Sequence, residues 1–350
     1  MDNTRDMLED AVARMLAERV EPRGTLAAEQ AGIDADTWAQ LGLIGVTGTE
    51  AARMDFGTQA VVLKATAYSG ALVPYADSEV LGRWLALGAG LDCVDEVLAV
   101  KVLPATACRF ESNSMRLAVQ GQRVPWGRYA QQVLFSVSTQ GCSFVAAVPS
   151  AVLQLRPGAN LAAEPHDFAQ AVFVDVAAEN VREISAGWSP EAVMARGALC
   201  RAVQMQGAMG RVNELTLRYA HERKQFGRAL AQFQVVQSYL AAMASELCAT
   251  EAAAEAATAA IDGGVRSEQE IAAVKVRAGQ AARVVVAHGH QVHGAIGFTR
   301  EFPLNLWTRR LWAWREEYGS ESHWARRLGA AVVARGADAL WPDLTLAQEA

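Results

Sequence analysis

The chain has 350 residues, of which 51% are hydrophobic and 20% charged, which is enough to bury a large core. Its formal net charge of −6 argues against nucleic acid as the main partner, because phosphate binding needs clustered Lys and Arg. The five cysteines are scattered, which favours reduced thiols. The polar N-terminus and the lack of a long uninterrupted apolar stretch favour a soluble, cytoplasmic protein with no membrane partner.

Residues 1–98 are predicted to form an N-terminal helical domain. Leu8, Val12 and Met15 recur at i, i+4 and i+7, the spacing of one face of an amphipathic helix. Two further helical segments are predicted at 58–68 and 78–87. Alanine and leucine dominate this region, and runs of β-branched residues are few.

Residues 99–185 have the pattern of a small antiparallel β domain. Short apolar runs are separated by turn residues, of which 139–141 and 156–158 are the clearest. The predicted strands cover 132–137, 144–148, 152–155 and 171–176. The change from helical to alternating periodicity places a domain boundary near residue 99.

Residues 186–350 return to long helices with short connections, which indicates a C-terminal four-helix bundle. Ser189, Pro190 and Glu191 supply an N-cap, a first-turn proline and a first-turn acid. The next helix carries a buried stripe and is predicted to stop at 263–264, and Ser267 with Glu270 forms a capping box for its successor. The stripe consists of Val236, Leu240, Met243 and Leu247. The fold class is therefore mainly α with a central β domain.

Two segments of the predicted bundle carry the most specific motifs. Residues 219–227 read YAHERKQFG and are followed by a Phe-Gln pair at 233–234, and residues 291–303 read QVHGAIGFTREFP. Together they resemble the C-terminal signatures of the acyl-CoA dehydrogenase family. The resemblance is tight from about residue 189 to 320, and the upstream order of helices and strands agrees with it loosely.

The resemblance implies a set of contacts to FAD, which in this family reach across a subunit interface to the neighbour's flavin. Arg223 offers a forked cation for a pyrophosphate, Phe226 a flat apolar surface, and Gly294 a close backbone approach. Ala295 stands where the family usually has a second glycine. The implied cofactor-binding residues are Arg223, Gln225, Phe226, Gln234, Gln291, Gly294 and Ser320.

Two departures from the family pattern bear on activity. The family cradles its own flavin with a glycine-containing loop, but residues 103–110 read LPATACRF, and no glycine occurs from 91 to 120. Many members place a catalytic glutamate in a Tyr-Glu-Gly-Thr segment, and Tyr318 occupies that position here. Tyrosine is a poor base near neutral pH, since its ordinary pKa is about 10. Glu317 is the candidate catalytic base in this chain, against the alternative that it forms an ion pair.

Other residues have simpler interpretations. His288, His290 and His293 scatter around a helix axis, so no metal site is predicted. The tryptophans at 307, 312, 314 and 324 either pack in a core or interface or form an apolar wall for a bulky acyl group.

The sequence leads to the hypothesis of an FAD-dependent acyl-CoA dehydrogenase subunit that desaturates an acyl-CoA thioester within a heterotetramer. A homologous subunit would supply the flavin loop and the base, the acyl group would be bulky or a steroid side chain, and an electron-transfer flavoprotein-like acceptor could take the electrons. The alternatives are a self-sufficient homo-oligomeric dehydrogenase with a relocated base, a catalytically inactive structural or binding homologue, and a flavin monooxygenase or nitroalkane-type oxidase.

Overall fold

The computed structural model describes residues 2–20, 28–91, 97–111, 114–264, 268–299 and 302–346. The chain divides into two compact units, Met1–Cys200 and Arg201–Ala350. Among the described residues, none of the helices combines the length and the apolarity needed to cross a bilayer. The division into domains at 1–98, 99–185 and 186–350 stays a prediction.

Helices make up the N-terminal region. They are Asp2–Arg19 (α1), Ala35–Leu43 (α2), Gly48–Arg53 (α3), Phe56–Ser69 (α4), the π-helix Tyr75–Arg83 and Trp84–Gly88 (α5). Helix α1 buries Val12 on the predicted face. Helix α4 begins where the Asp55 side chain accepts a hydrogen bond from the Thr58 amide, and it ends at Gly70 in the left-handed conformation. It covers the helix predicted at 58–68.

The helix predicted at 78–87 is in the structure a π-helix that continues into α5. Every residue of the π-helix is buried, including its charged ones. Glu79 forms a 2.5 Å ion pair with Arg83 and accepts a 2.7 Å hydrogen bond from the Gly48 amide. The buried charges of Glu79 and Arg83 are thus compensated by one another and by backbone, as buried charges must be.

The β region follows in the same unit. Its strands are Leu98–Leu103 (β1), Cys108–Glu111 (β2), Ser114–Ala118 (β3), Arg123–Pro125 (β4), Gln132–Thr139 (β5), Cys142–Pro149 (β6), His166–Phe168 (β7), Phe173–Ala177 (β8) and Val181–Ile184 (β9). They form sheets of order β1-β5-β6-β9, β2-β3-β8 and β4-β7. All these pairs are antiparallel except β1 with β5, which is parallel. The exception arises because the chain between them crosses over through β2, β3 and β4, a connection long enough for parallel pairing.

Two local predictions in the β region have opposite outcomes. The turn at 139–141 joins β5 to β6, with Gln140 and Gly141 both at positive φ as a tight hairpin requires. The strand predicted at 152–155 is wrong. Ser150–Leu153 is a 3-10 helix, and Gln154 is left-handed at φ 51°. Leu153 is fully buried, so the apolar run there reflects burial in the core rather than pairing in a sheet.

Long helices form the C-terminal region. They are Pro190–Glu222 (α6), Gln234–Asp262 (α7), Glu268–His293 (α8), Leu304–Glu316 (α9), Glu321–Arg335 (α10) and Ala337–Leu346 (α11), with a short hairpin of Lys224–Gln225 (β10) and Arg228–Ala229 (β11). Helix α8 packs against α7, α9 and α10. From α6, Asn213 donates to the carbonyl of Met243 on α7, and the Val212 side chain faces Gly289 on α8.

The helix ends agree with the cap signals where the structure describes them. The Ser189 hydroxyl accepts a hydrogen bond from the Ala192 amide at 3.3 Å, which confirms the predicted N-cap of α6. Helix α7 ends at Asp262, directly before the two predicted glycines. Of the predicted buried stripe, Val236 and Met243 are buried, whereas Leu240 and Leu247 are only half-buried. The predicted capping box involves Ser267, which lies outside the described residues.

Candidate functional site

The first motif forms an exposed turn at the C-terminal end of α6. The chain leaves α6 at Glu222 and forms the β10–β11 hairpin, with Phe226 at φ 51° and Gly227 at φ 80°. The Phe226 ring is 92% exposed and lies 6.3 Å from Phe233 between ring centroids, in an edge-on arrangement. Arg223, Gln225 and Gln234 are also exposed. The ring of Phe226 therefore has almost no apolar surface covered within this chain.

The second motif forms a turn at the C-terminal end of α8. Gln291 and Gly294 are exposed, and Gly294 has φ 63° as the chain passes into the 3-10 turn Gly294–Phe298. Among the described residues other than its two chain neighbours, no heavy atom lies within 4 Å of the place where a Cβ on Gly294 would stand. A planar or phosphorylated ligand could therefore approach the backbone closely at this point.

The two turns lie at the same end of the helical bundle. Tyr219, one turn before Arg223, stacks on His293 with centroids 4.5 Å apart. Ala220 of α6, Val236 of α7 and Val292 of α8 form one buried apolar cluster. Because these three residues are close neighbours of Arg223, Gln234 and Gln291, packing inside the bundle brings the predicted contacts of both motifs together.

A groove of about 440 Å³ lies beside the second turn. Its lining residues are Val286, Ala287, His290, Gln291, Gly294, Phe298 and Trp312. Phe298 stacks on the His290 ring at 4.1 Å and is itself 71% exposed. Two of the predicted flavin contacts, Gln291 and Gly294, thus face a groove with aromatic walls.

The histidines near this groove have separate partners. The ring Nε2 of His290 lies 3.1 Å from the Thr308 hydroxyl, and Nδ1 of His293 donates to the Gly289 carbonyl at 2.8 Å. His288 stacks on Tyr239. Burial lowers the pKa of His290, and burial lowers the pKa of His293 as well, against the raising effect of its bond to Gly289. The rings of His290 and His293 serve as packing surfaces for Phe298 and Tyr219.

The candidate base is engaged in an ion pair. Glu317 accepts a 2.7 Å hydrogen bond from Nε of Arg201, whose guanidinium is almost fully buried. The same guanidinium donates to Gln204 at 2.6 Å and lies 5.4 Å from the centre of the Tyr318 ring. Tyr318 itself is left-handed, at φ 53°. A carboxylate held this way is positioned as a counter-ion to a buried cation.

A buried lysine adjoins this segment. The amine of Lys275, on α8, donates to the carbonyls of Trp314 at 2.6 Å and Arg315 at 3.2 Å, in the last turn of α9. Burial lowers its pKa to about 7, although the charge of Glu317 acts in the opposite direction. The last carbonyls of a helix otherwise lack partners, so Lys275 fixes the end of α9 and with it residues 317–319.

Ser320, the last of the predicted flavin contacts, and the four clustered tryptophans lie on or next to helices α9 and α10. Ser320 is half-buried at the N-terminus of α10, and its hydroxyl lies 3.0 Å from that of Ser322. Trp307, Trp314 and Trp324 are buried, which supports the packing alternative for them. Trp312 lines the groove described above.

Arg201 and Lys275 were not predicted from the sequence as residues of this site, although the sequence contains a signal for each. Lys275 follows Ile271 by four residues and precedes Ala278 by three, so it lies on the apolar face of α8. Arg201 follows Ala198 by three residues on the equally apolar α6. A cation on a core-facing stripe requires a buried partner, and that requirement could have been read from the sequence.

Residues 103–110, which by the resemblance correspond to the family's own flavin loop, contain no glycine. Within the described stretch 97–111, the 3-10 turn Ala105–Ala107 connects β1 to β2. Pro104 precedes this turn, and Ala105 and Thr106 are exposed. The backbone here has no residue able to adopt the left-handed conformation cheaply.

Comparison with known proteins identifies the class of this fold and the family of its C-terminal region. Residues 188–332 match the family model described as acyl-CoA dehydrogenase, C-terminal domain. The solved ChsE4-ChsE5 complex from Mycobacterium tuberculosis has a chain with TM-score 0.83 and 19% identity, covering 95% of this chain and 98% of that one. Butyryl-CoA dehydrogenase from Megasphaera elsdenii gives TM-score 0.82 and 16% identity, covering 94% and 98%. These likenesses show the acyl-CoA dehydrogenase fold.

Two sequence relatives agree with that result over shorter segments. An acryloyl-CoA reductase (NADH) from Anaerotignum propionicum is 37% identical over 91 residues, 26% of this chain and 23% of that protein. The acyl-CoA dehydrogenase IpdE2 of Mycobacterium tuberculosis is 31% identical over 135 residues, 39% of this chain and 41% of that protein. The matched segments thus span from about a quarter to two fifths of these relatives. Residues 188–332 therefore match the C-terminal domain of the acyl-CoA dehydrogenases, as predicted from the two motifs, and the chain has the acyl-CoA dehydrogenase fold.

Proposed function

We propose that this chain is one subunit of an FAD-dependent acyl-CoA dehydrogenase that works as a heterotetramer in the cytoplasm. It supplies flavin contacts across a subunit interface, and a homologous subunit supplies the flavin loop and the catalytic base. The observation that carries the proposal is an asymmetry within one chain. Six of the seven residues suited to a neighbour's flavin, all except the half-buried Ser320, are exposed and lie at one end of the bundle. The segment suited to its own flavin has no glycine.

The exposed residues suit a flavin dinucleotide in their chemistry. Arg223 offers two parallel N–H donors to a pyrophosphate, and Phe226 offers an uncovered apolar face. Gln225, Gln234 and Gln291 add amide donors and acceptors around these groups, and Gly294 leaves room for a close approach. Ser320 would contribute a hydroxyl. When bound, FAD supplies the hydride acceptor for the reaction.

The ion pair at Glu317 supports a base from the partner. A general base must be free to accept a proton from the substrate, and Glu317 instead neutralises the buried Arg201. Protonating this carboxylate would leave a guanidinium buried without its counter-charge, which is costly. Glu317 stays the candidate base of this chain alone, and its ion pair favours a structural role.

The proposed substrate is an acyl-CoA thioester with a bulky, ring-bearing acyl group, and the proposed acceptor is an electron-transfer flavoprotein. The solved structures of this fold include the ChsE4-ChsE5 complex and the Tcur3481-Tcur3483 steroid ACAD, both named as pairs. The identities to these chains are 19% and 20%, so they support the assembly and the steroid-type substrate only as a proposal.

The decisive experiment is purification of this chain with and without a co-expressed homologous subunit, with flavin content and subunit stoichiometry recorded. We expect a colourless chain alone and a yellow, equimolar complex when both are present. Arg223→Ala should lower the flavin content of the complex, whereas Arg326→Ala, an exposed control on α10, should not.

Two results would contradict the proposal. A yellow chain that turns over an acyl-CoA by itself would establish a self-sufficient dehydrogenase. A complex that forms with the homologous subunit but binds no flavin and has no turnover would establish a structural or binding homologue.

A further inference from the structure

Three aromatic rings meet next to the two exposed turns of the bundle. His293, the last residue of α8, stacks on Tyr219 of α6 with ring centroids 4.5 Å apart and 26° between the ring planes. Phe302, two residues before α9, has its ring centroid 4.7 Å from that of His293 and 5.8 Å from that of Tyr219. His293 is 4% exposed. The stack therefore joins three segments that are distant in the sequence.

Each of the two stacked rings is tied to one of the turns. The Arg223 amide donates to the Tyr219 carbonyl at 2.9 Å, so the first turn continues directly from the Tyr219 backbone. On the other side, Gly294 follows His293, and the 3-10 turn packs back on it. A Cβ on Gly297 would lie 3.0 Å from the Cβ of His293. The stack thus sets the spacing between Arg223 and Gly294.

One hydrogen bond fixes the orientation of the His293 ring. Its Nδ1 donates to the Gly289 carbonyl at 2.8 Å. Gly289 itself lies against α6, because a Cβ there would come within 3.1 Å of the Val212 side chain. Within the part of the chain that the structure describes, the other nitrogen, Nε2, has no hydrogen-bond partner. One nitrogen therefore orients the ring, and the remaining contacts of the ring are stacking contacts.

We propose that His293 is a positioning residue for flavin binding, which through its stack on Tyr219 holds Arg223 at a fixed spacing from Gly294. A dinucleotide that contacts both turns needs both in place at once, and fixing their spacing before binding lowers the ordering cost. The inference rests on the proposed function and adds to it a buried residue that acts through Arg223 and Gly294 rather than by touching the cofactor.

The test is titration of FAD into the flavin-free complex of this chain with the homologous subunit, followed by flavin fluorescence. His293→Ala should weaken FAD binding about tenfold, because the stack that holds the two turns is lost. Tyr219→Leu removes the other ring and should weaken binding to a similar extent. His293→Phe keeps a ring and loses one hydrogen bond, so its binding should return to within about threefold of the unaltered complex.

His288 offers a matched control on the same helix. Its ring stacks on Tyr239 with centroids 4.5 Å apart, so it forms a stack of the same kind, but between α8 and α7. His288→Ala should therefore leave FAD binding within about twofold. A loss equal to that of His293→Ala would show that any histidine stack of the bundle has this effect, and it would overturn the inference.

A double-mutant cycle with Arg223 separates positioning from a general loss of stability. Arg223→Ala alone should weaken FAD binding about tenfold. If His293 acts by placing Arg223, the two losses overlap, and the double variant should bind about ten- to thirtyfold more weakly than the unaltered complex. Independent effects would instead multiply to about a hundredfold.

The outcomes distinguish this inference from the proposed function. Unchanged binding in both His293→Ala and Tyr219→Leu, no recovery in His293→Phe, or a hundredfold loss in the double variant would overturn the positioning role while Arg223→Ala still weakened binding. An unaltered complex that binds no FAD, or full binding in Arg223→Ala, would overturn the proposed flavin contacts and the positioning role with them.

Discussion

Lys275 illustrates how one buried side chain can connect two helices and also set a pH dependence. Its amine is fully buried, and its hydrogen bonds go to the last turn of α9. Burial lowers its pKa to about 7, whereas a lysine in the unfolded chain titrates near 10.4. Between these values the unfolded chain binds one more proton than the folded protein, so stability rises with pH.

The resulting prediction concerns Lys275→Met. Through this lysine, the free energy of unfolding should increase between pH 7 and pH 9 by up to about 1.4 kcal/mol per pH unit. The variant should lack that increase, so its stability relative to the unaltered chain falls as pH rises. Urea unfolding at both pH values measures this. Lys224→Met, at an exposed lysine, should keep the full pH dependence, and equal pH slopes in all three proteins would disprove the idea.

Glu317 allows the catalytic and structural roles to be separated at a single residue. In the proposed complex, Glu317→Gln should reduce the stability of this chain by about 1–3 kcal/mol, because the buried Arg201 loses its counter-charge. Turnover should stay within a few-fold, because the base comes from the partner. Steady-state kinetics and chemical unfolding of the complex measure the two effects, with Glu316→Gln as the exposed neighbouring control. A loss of turnover by about 1000-fold would instead make Glu317 the base.

At the scale of elements, the π-helix Tyr75–Arg83 depends on Glu79. That carboxylate binds Arg83 within the helix and the Gly48 amide at the start of α3, and Ser78 accepts a 3.1 Å bond from the Leu98 amide of β1. The helix thereby anchors its neighbours on both sides. Glu79 is fully buried, so none of these bonds can be replaced by bonds to water.

We therefore expect Glu79→Ala to reduce the free energy of unfolding by about 3–5 kcal/mol, the range for removing one partner of a buried ion pair. Glu111→Ala breaks the exposed pair with Arg116 and should cost about 1 kcal/mol or less. Denaturant unfolding measured on both variants makes the comparison. Similar losses in the two would show that the π-helix is not held by its buried charges.

The elements that could be predicted from the sequence are those with local signals. The caps at Asp55 and Ser189 and the hairpin at Gln140 and Gly141 each depend on neighbouring residues only. The π-helix could not be predicted, because its i+5 pairing leaves the apolar periodicity close to that of an α-helix. The parallel pairing of β1 with β5 depends on a crossover between distant segments, and periodicity contains no information on strand direction.

At the scale of the molecule, the family of the C-terminal region was predicted from two motifs whose residues have special backbone requirements. Gly227 and Gly294 both adopt positive φ, a conformation that favours glycine. These positions of the motifs can therefore be recognised in the sequence. The meeting of the two turns was not visible, because it depends on the Tyr219–His293 stack between helices far apart in the chain. The ion pair of Glu317 with Arg201 could not be predicted from the sequence either. It favours a structural role for the candidate base over a catalytic one.

The exposed turn at Phe226 is expected to control how much flavin the assembled complex binds. Phe226→Glu should leave the unfolding of the isolated chain almost unchanged, within about 0.5 kcal/mol, because the 92% exposed ring has little contact to lose. In the co-purified complex, the added negative charge beside the flavin phosphates and the loss of the apolar face should lower flavin occupancy several-fold. Absorbance of bound flavin per complex measures this. Val333→Glu, at an 80% exposed residue on α10, is the matched control and should keep full occupancy. Full flavin in the Phe226 variant would show that this turn does not contact the neighbour's cofactor.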